Sequence, residues 1–314
     1  MTLSTVKQED AITNPSQAPS QVQLPDEAHA EASGGFSGLP TGFPSLDSKL
    51  KGLNPAEVIV LASRPAVGKT TLALKIAKCV ALGRDINGCP MKGDHNRQHA
   101  VAVFSLECCL ADLATRMHCG ISSVATTPGK APVIVDDTGS LDIMDLCARA
   151  HCMQMRHKVE LIIIDYLQLC NCREFARQGR RTEWIQIAKQ IKAMARELHI
   201  PVIVATQLCR GCEMRGDSSR ITSPPALCEA CNIIVQEADA VLVLRRPDRA
   251  SGIAERNNDG IIVDVTKSKQ GATGEVRLAF DGVESASPLK RQQKTGEVPS
   301  DIVLIDFNNN ERVQ

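Results

Sequence analysis

The sequence predicts an α/β fold in which a mainly parallel sheet carries helices on both faces. Apolar runs with strand character alternate with helical patterns between residues 38 and 282, as expected when crossover helices join parallel strands. The run Val58–Ala62 is short and continuously apolar, which is typical of a strand buried on both faces. It leads through a tight loop into a segment where Leu72, Ile76 and Val80 recur at helical spacing. Ligands of such folds bind at the carboxyl ends of the strands.

The remaining elements follow from the same two periodicities. Short aliphatic runs predict strands near Val58–Ala62, Val101–Ser105, Val133–Val135, Leu161–Asp165, Val202–Thr206, Val241–Leu244, Ile261–Val265 and Glu275–Phe280. Longer amphipathic segments predict helices at Thr70–Leu82, Ile143–His157 and Thr182–Leu198. The last two strands lie close together across the glycine-containing turn 271–274, which indicates a late β-hairpin. A final strand is considered at Ile302–Phe307.

Composition shifts divide the chain into three parts. Residues 1–35 are rich in Ser, Pro, Gln, Ala and Glu, and we expect a disordered arm with a short helix considered at Asp26–Ala32. Residues 36–283 carry the alternating pattern and are expected to form one domain. Residues 284–314 are expected to be a polar C-terminal tail.

Charge and cysteine content limit the setting of the protein. Lys plus Arg equals Asp plus Glu at 36 each, so nucleic acid must be bound through local patches rather than through a global positive field. The N-terminus lacks the apolar core of a signal peptide and no run has the length of a membrane span, which predicts a cytoplasmic protein without membrane contact. Thirteen cysteines then indicate reduced thiols or metal ligands rather than disulfides.

The segment between the first strand and the first long helix is typical of a phosphate-binding loop. Gly68-Lys69-Thr70 supplies backbone N–H groups at a helix N-terminus, an ammonium group for the β- and γ-phosphates and a hydroxyl for Mg²⁺. The full pattern requires Gly at position 63, where this chain has Ser63, and a helix cap that happens to carry a lysine is the alternative. The residues expected to bind ATP in this loop are Arg64, Pro65, Ala66, Val67, Gly68, Lys69, Thr70 and Thr71.

Three further strand ends carry polar side chains. Asp165 follows four aliphatic residues and is expected to support Mg²⁺ together with Thr70, although an aspartate that starts a turn is the alternative. Glu107 is the candidate general base for the attacking water. Gln207 is the candidate sensor of the γ-phosphate. Four such signals in strand order favour a catalytic nucleotide site.

These residues belong to a series of motifs that resembles the RecA-like motor domain of the DnaB-type bacterial and phage replicative DNA helicases, P-loop NTPases. The series comprises Thr41–Asp47, Gly52–Pro55, Ala62–Thr70, Phe104–Glu107, Val135–Gly139, Ile164–Leu169 and Ala195–Val202. The resemblance covers about residues 38–282. Members of this family often lack the first glycine of the loop, where this chain has Ser63. It implies a ring-forming, hexameric ATPase that moves along single-stranded DNA, with Lys69, Thr70, Glu107, Asp165 and Gln207 in the roles given above.

The chain departs from that family in several places. We expect it to lack the N-terminal domain that the family uses for ring assembly and primase contact, and its segment from Glu107 to Asp136 is shorter than the family's. The family's Lys-x-Arg-Asn-Gly reads Lys267-Ser268-Lys269-Gln270-Gly271, so the resemblance places the trans-acting finger at Lys269, with Lys267 beside it. Lysine lacks the guanidinium fork, and a finger arginine is worth about 10³–10⁵ in rate, so a slow ATPase is expected. The family's DNA-facing loop loses its arginine, here Cys228.

Contact with DNA is expected from an arginine cluster at the position of the family's pore loop. Its members are Arg173, Arg177, Arg180 and Arg181. Such a cluster binds phosphates with little sequence preference, and a solvated surface loop is the alternative, since Phe175 is the only aromatic residue among the charges. We expect Trp184 to pack within its helix.

One cysteine spacing predicts a metal site. Cys209-x₂-Cys212 and Cys228-x₂-Cys231 are fifteen residues apart, which matches a four-thiolate zinc site, although a cysteine-rich chain also produces such spacings by accident.

Two functions remain open at this point. The first is an ATP-dependent, Mg²⁺-dependent DNA helicase-type motor in replication. The alternative is a truncated relative that binds nucleotide and regulates or joins a helicase ring without unwinding. Beyond single-stranded DNA and further copies of the chain, the sequence indicates no replication partner.

Overall fold

Buried aliphatic strands form the centre of the protein, seen in a computed structural model that describes residues 38–91, 93–118, 131–208, 229–246, 260–278, 302–308 and 312–313. The strands are β1 (Val58–Ser63), β2 (Ala100–Ser105), β3 (Ala131–Asp136), β4 (Val159–Asp165), β5 (Val202–Gln207), β6 (Ala240–Arg245), β7 (Ile261–Ser268), β8 (Gly274–Leu278), β9 (Ile302–Asp306) and β10 (Arg312–Val313). The α-helices are α1 (Pro44–Leu50), α2 (Lys69–Leu82), α3 (Leu110–His118), α4 (Ile143–His157), α5 (Arg180–Leu198) and α6 (Glu229–Glu237).

The strands form one sheet in the order β10-β9-β3-β2-β4-β5-β1-β6-β7-β8. The seven strands from β9 to β6 in this order run parallel, whereas β10, β7 and β8 are antiparallel to their neighbours. The α/β prediction with a mainly parallel sheet and a late hairpin, β7–β8, is therefore confirmed.

Side chains of the central strand β1 alternate between two cores. Val58, Val60 and Ala62 pack with α4, α5 and α6 on one face. Ile59 and Leu61 pack with α1, α2 and α3 on the other. Because both faces are covered, the strands read as continuous apolar runs. In the part of the chain that the structure describes, no helix is long and apolar enough to cross a membrane.

Three helices were not predicted, and each is short. α1 has seven residues, and α3 and α6 have nine each, so they offer little periodicity to the eye. The long helices α2, α4 and α5 agree with prediction to within two residues at their starts.

The C-terminal part of the chain needs a correction. The strand considered at Ile302–Phe307 exists as β9, which pairs in parallel with β3 from Ala131↔Ile302 to Val135↔Asp306. These residues belong to the sheet rather than to the tail predicted over 284–314. The predicted arm, 1–35, and its short helix lie outside the described residues.

Candidate functional site: a nucleotide site at the ends of four strands

The loop between β1 and α2 has the backbone geometry of an anion-binding turn. It runs from Arg64 to Gly68, and α2 begins at Lys69, so that Thr70 and Thr71 lie in its first turn. Gly68 adopts φ +119°, a left-handed conformation, and a Cβ there would lie 2.8 Å from Ile261 Cδ1. Glycine is therefore required at this position. The first-turn amides of a helix have no partner within it, and they suit an anionic ligand.

Asp165 connects the end of β4 to this loop. Its carboxylate accepts a hydrogen bond from Thr70 Oγ1 at 2.6 Å and lies 3.7 Å from Lys69 Nζ. The residue is only 4% exposed. Lys69 Nζ also lies over the ring of Tyr166, 4.6 Å from its centroid. The two cofactor-binding side chains of the loop and the predicted metal-supporting carboxylate are thus in direct contact.

Glu107 and Gln207 lie at the ends of β2 and β5, on either side of β4 and its Asp165. The sheet order β2-β4-β5-β1 brings four carboxyl-terminal strand ends side by side. Ser105 pairs with Asp165, and Leu106 N donates to Asp165 O at 2.7 Å, which positions the exposed Glu107 just beyond β2. Gln207 ends β5 opposite Ser63 at the end of β1.

The negative charge at this edge affects Tyr166. Burial raises the pKa of Tyr166, and the nearby carboxylates of Glu107 and Asp165 raise it further. Both carboxylates are therefore close enough to affect the Tyr166 phenol.

The residues at this site fit a magnesium nucleotide. Asp165 Oδ1 is buried and, among the described residues, accepts no hydrogen bond, so this oxygen can serve a ligand. Carboxylate and hydroxyl oxygens are the protein ligands that Mg²⁺ prefers. A helix N-terminus, the Lys69 ammonium and the Thr70 hydroxyl beside this oxygen provide complementary groups for phosphate and metal.

The lysines predicted as catalytic lie near the start of β6, at the end of the strands opposite to the phosphate loop. Lys267 pairs with Val241 near the start of β6, and its Nζ donates to Val235 O at 3.0 Å. Lys269 Nζ lies 3.6 Å from Asp239 Oδ1, and its side chain is 63% exposed. The structure does not bring Lys267 and Lys269 to the nucleotide site of their own chain.

The predicted DNA-binding arginines differ in how they are held. Arg180 donates to Glu183 Oε2 at 2.8 Å and to Gln168 O at 3.2 Å, and it stacks on Trp184 at 4.2 Å. Arg173 is exposed and lies 3.6 Å from Asp145. Arg177 and Arg181 are exposed at the surface. Trp184 is 8% exposed, as expected for helix packing.

The structure describes one of the four cysteines in the predicted zinc site. Cys231 is fully buried at the start of α6, and its thiol donates to Gln207 O at 3.1 Å. Cys209, Cys212 and Cys228 lie outside the described residues. Within the described part of the chain, no group of three or more His, Cys, Asp or Glu side chains has the arrangement of a metal site. The zinc hypothesis stays a prediction.

Sequence reasoning missed the contribution of two residues at the nucleotide site. Tyr166 and Gln168 both lie in the motif Ile164–Leu169, directly after the aspartate. Lys69 Nζ lies over the Tyr166 ring, and Gln168 Nε2 donates to Thr206 Oγ1. A polar residue immediately after a metal-supporting strand end is the signal that would have indicated them.

Comparison with known protein families gives a match over most of the chain. The family model for the DnaB-like helicase C terminal domain matches residues 38–130 and 120–286. Replicative DNA helicase DnaB of Geobacillus stearothermophilus is 33% identical over 268 residues, which are 79% of this chain and 55% of the relative. The DnaB of Leifsonia xyli subsp. xyli is 31% identical over 285 residues, 82% of this chain and 57% of the relative. The chain thus spans about half the length of the curated relatives it matches.

Solved structures show the same relationship. The ATPase domain of G40P superposes with a TM-score of 0.64 at 26% identity, covering 79% of this chain and 90% of that domain. A DnaB-like replicative helicase, described with its interactions with primase, gives a TM-score of 0.63 at 25% identity, covering 80% of this chain and 61% of that one.

Proposed function

This chain belongs to the DnaB-like helicase C-terminal domain family, and from that premise we propose that it is an ATP-hydrolysing motor domain that acts on single-stranded DNA as part of a ring. The observation that carries this proposal is the contact of Thr70 and Lys69 with Asp165 at the ends of four adjacent parallel strands. A merely structural cap on α2 has no need of a buried carboxylate with an oxygen that accepts no hydrogen bond in the described structure.

Each polar side chain has one role in the proposed hydrolysis. Lys69 and the amides of the α2 N-terminus bind the phosphates. Thr70 and Asp165 would hold Mg²⁺, which would neutralise the developing phosphate charge. Glu107 orients the attacking water and accepts its proton. Gln207 binds the γ-phosphate through its amide. Without nucleotide, Lys69 contacts Asp165 and the Tyr166 ring, and these contacts keep its ammonium group beside the proposed phosphate position.

Assembly into a ring follows from the location of Lys269. Lys267 pairs with Val241 and Ala240 pairs with Ile59, at the start of β1, whereas the phosphate loop follows its end. Four residues of β1 separate the two sites by about 13 Å, more than a lysine side chain spans. Lys269 therefore serves a nucleotide only in a second copy of the chain, which favours a head-to-tail ring. A hexamer is the ring size that the family resemblance implies.

The DNA contact is proposed for the exposed arginines of the cluster. Arg173, Arg177 and Arg181 are solvent-exposed on the short helix Arg173–Gln178 and at the start of α5, where phosphates have access. Arg180 has two backbone carbonyls, a carboxylate and an indole as partners, and we assign it a structural role.

The second candidate is a relative that binds nucleotide and joins or regulates a ring without unwinding DNA. Lys269 in place of an arginine finger favours it, because a lysine gives weaker support to the transferring phosphoryl group. Magnesium nucleotide binding is common to both candidates, whereas DNA-stimulated turnover belongs to the motor.

The predicted zinc would add a metal to the segment 209–231. Four-thiolate coordination requires Cys231 to lose its proton and to leave its contact with Gln207 O. Metal analysis of protein purified under reducing conditions decides this, because a zinc site of this kind binds one equivalent.

The test of the proposed function is the ATPase rate with and without single-stranded DNA. We expect magnesium-dependent turnover that DNA stimulates, and its loss in Lys69→Ala. Lys189→Ala, at an exposed position of α5, is the matched control and retains the wild-type rate. Turnover in Lys69→Ala equal to wild type would contradict the site, and turnover without DNA stimulation would favour the second candidate.

A further inference from the structure

A closed circuit of hydrogen bonds lies directly behind the candidate phosphate sensor. Gln168 Nε2 is 2.8 Å from Thr206 Oγ1 and 3.1 Å from Gln207 O. Cys231 Sγ is 3.1 Å from both of the same two atoms. Three elements thus meet at the end of β5: the turn Leu167–Leu169 after β4, β5 itself, and the start of α6.

The chemistry of these groups allows only one arrangement of the protons. A carbonyl oxygen only accepts and an amide nitrogen only donates, so Gln168 Nε2 gives one proton to Thr206 Oγ1 and one to Gln207 O. Thr206 then has its own proton left for Cys231 Sγ, and the thiol proton goes to Gln207 O. The circuit closes with every donor used.

The orientation of the Gln168 amide is determined by the same contacts. Exchanging its oxygen and nitrogen would bring an amide oxygen against Gln207 O, a contact between two acceptors. Gln168 Oε1 is buried and has no hydrogen-bond partner among the described residues, so the exchange would gain no compensating bond there.

The circuit saturates the main-chain carbonyl of Gln207 with two donors from different elements. Hydrogen bonds in such a network polarise one another, and the network rigidifies the groups that it connects. Leu208 N also donates to Ser63 O at 2.9 Å, which holds the next residue against the phosphate loop. The peptide unit that joins Gln207 to Leu208 is therefore held at both its carbonyl and its amide.

We propose that Gln168 and Cys231 are positioning residues that hold Gln207 in place to bind the γ-phosphate during ATP hydrolysis. This inference rests on the proposed function. Neither residue touches the nucleotide, and both act through the main chain of Gln207. Because the nucleotide contact of Lys69 is separate, loss of the circuit changes turnover more than it changes the KM for ATP.

The first test substitutes the two positioning residues separately. Gln168→Leu, which keeps the size and removes both donors, lowers kcat by about five- to tenfold, the factor for one net hydrogen bond lost in the transition state. Cys231→Ala opens the circuit and lowers kcat in the same way, whereas Cys231→Ser restores a hydroxyl donor and acceptor and recovers most of it. Gln186→Leu is the control, the same change at a half-buried position of α5.

The second test is a double-mutant cycle with the sensor. If Gln168 acts through Gln207, the loss in Gln168→Leu/Gln207→Ala equals the loss in Gln207→Ala alone. A general packing role would make the two losses multiply and would lower the melting temperature in step with activity. If Gln168→Leu does not fold, the comparison of kcat in Cys231→Ala and Cys231→Ser tests the inference instead.

The outcomes separate the inference from the proposed function. Absence of ATP turnover in the wild-type protein overturns the proposed function and the inference with it. Wild-type turnover with multiplying losses, or with Cys231→Ser no better than Cys231→Ala, overturns the inference alone.

Discussion

Asp165 controls the arrangement of the nucleotide site before any ligand binds. It holds the Thr70 hydroxyl at 2.6 Å and attracts Lys69, so both side chains that would contact a magnesium nucleotide already face one buried carboxylate. The carboxylate lies at the end of β4, a short apolar strand whose last five residues are all buried. The cost of burying the charge is offset by these two partners.

Glu107 differs from Asp165 because it is exposed, and its proposed role lies in the chemical step. We expect Glu107→Gln to bind magnesium ATP normally, since the phosphate and metal contacts remain. Turnover falls by about 10²–10⁴, the usual contribution of a general base. Binding is measured with a fluorescent nucleotide and turnover by phosphate release. Glu174→Gln, at an exposed glutamate of the arginine segment, is the control, and normal turnover in Glu107→Gln would refute the assignment.

At the scale of elements, the arginines of the short helix Arg173–Gln178 and the start of α5 differ in their partners. Arg180 stacks on Trp184 and pairs with Glu183, so Arg180→Ala is expected to cost about 1 kcal/mol of unfolding free energy. Arg177→Ala is expected to change it by less than about 0.5 kcal/mol. Urea unfolding of both variants measures the difference. Equal effects would contradict the structural assignment of Arg180.

A charge reversal at Arg177 tests DNA binding separately from stability. Arg177→Glu is expected to weaken single-stranded DNA binding and to lower the salt dependence, by about 0.7 in the slope for each phosphate contact removed. Basal ATP turnover is expected to stay at the wild-type level, because Arg177 is exposed on the short helix Arg173–Gln178 and not at the strand ends that carry the nucleotide site. Fluorescence anisotropy at several salt concentrations provides the measurement, and an unchanged slope would show that Arg177 meets no phosphate.

Strand β9 is joined to the sheet through a buried carboxylate. Arg149 Nη1 donates to Asp136 Oδ2 at 2.7 Å and to Asn308 Oδ1 at 3.0 Å, and Asn308 Nδ2 donates to Asp136 Oδ1 at 3.4 Å. Burial raises the pKa of Asp136, but hydrogen bonds from Thr138 and Arg149 outweigh it and hold the pKa below its usual value. The ionised form is therefore the one that the folded state stabilises.

This lowered pKa predicts an acid-sensitive attachment. A depressed folded-state pKa adds stability above the unfolded-state pKa, and that stability is lost as pH falls below about 4. Asp136→Asn is expected to unfold more easily by about 1–3 kcal/mol at neutral pH, with the difference from wild type shrinking on acidification. Urea unfolding at a series of pH values tests it against Asp145→Asn, a carboxylate that is 54% exposed. A difference that does not change with pH would exclude the ionised Asp136 as its source.

At the scale of the whole molecule, the features predicted from sequence were the local ones. A buried strand that ends in a polar side chain is visible within six residues, so the strand ends at Glu107, Asp165 and Gln207 were found. The pairing of β9 with β3 joins Ile134 to Ile305, far apart in the chain, and no local pattern indicates it. The short helices α1, α3 and α6 depend on tertiary packing rather than on periodicity.

Side-chain partners were the least predictable feature. Arg180 was grouped with three other arginines by sequence, yet its guanidinium reaches carbonyls of the turn after β4. Cys231 was grouped with three cysteines by spacing, which stays a prediction, and the spacing did not indicate that its thiol contacts Gln207 O and Thr206 Oγ1. Spacing gives residue types at intervals, whereas these contacts depend on how β5 and α6 meet in three dimensions.

The separation of Lys269 from the phosphate loop leads to a complementation experiment on the assembled ring. Lys69→Ala and Lys269→Ala are each expected to be nearly inactive alone, because every site in a uniform ring lacks one of the two lysines. In rings co-assembled from equal amounts of both chains, about a quarter of the interfaces join an intact loop to an intact Lys269, since each interface is head to tail. Co-expressed, doubly tagged rings should therefore regain about a quarter of the wild-type ATP turnover.

The control for this experiment is co-assembly of Lys269→Ala with the double variant Lys69→Ala/Lys269→Ala, which restores no interface and should give no recovery. Lys269→Arg is expected to equal or exceed wild type, because a guanidinium fork contacts two phosphate oxygens where an ammonium contacts one. Activity of mixed rings equal to the mean of the separate variants would mean that Lys269 does not act across the interface. Its contact with Asp239, 3.6 Å away, would then be its structural role in its own chain.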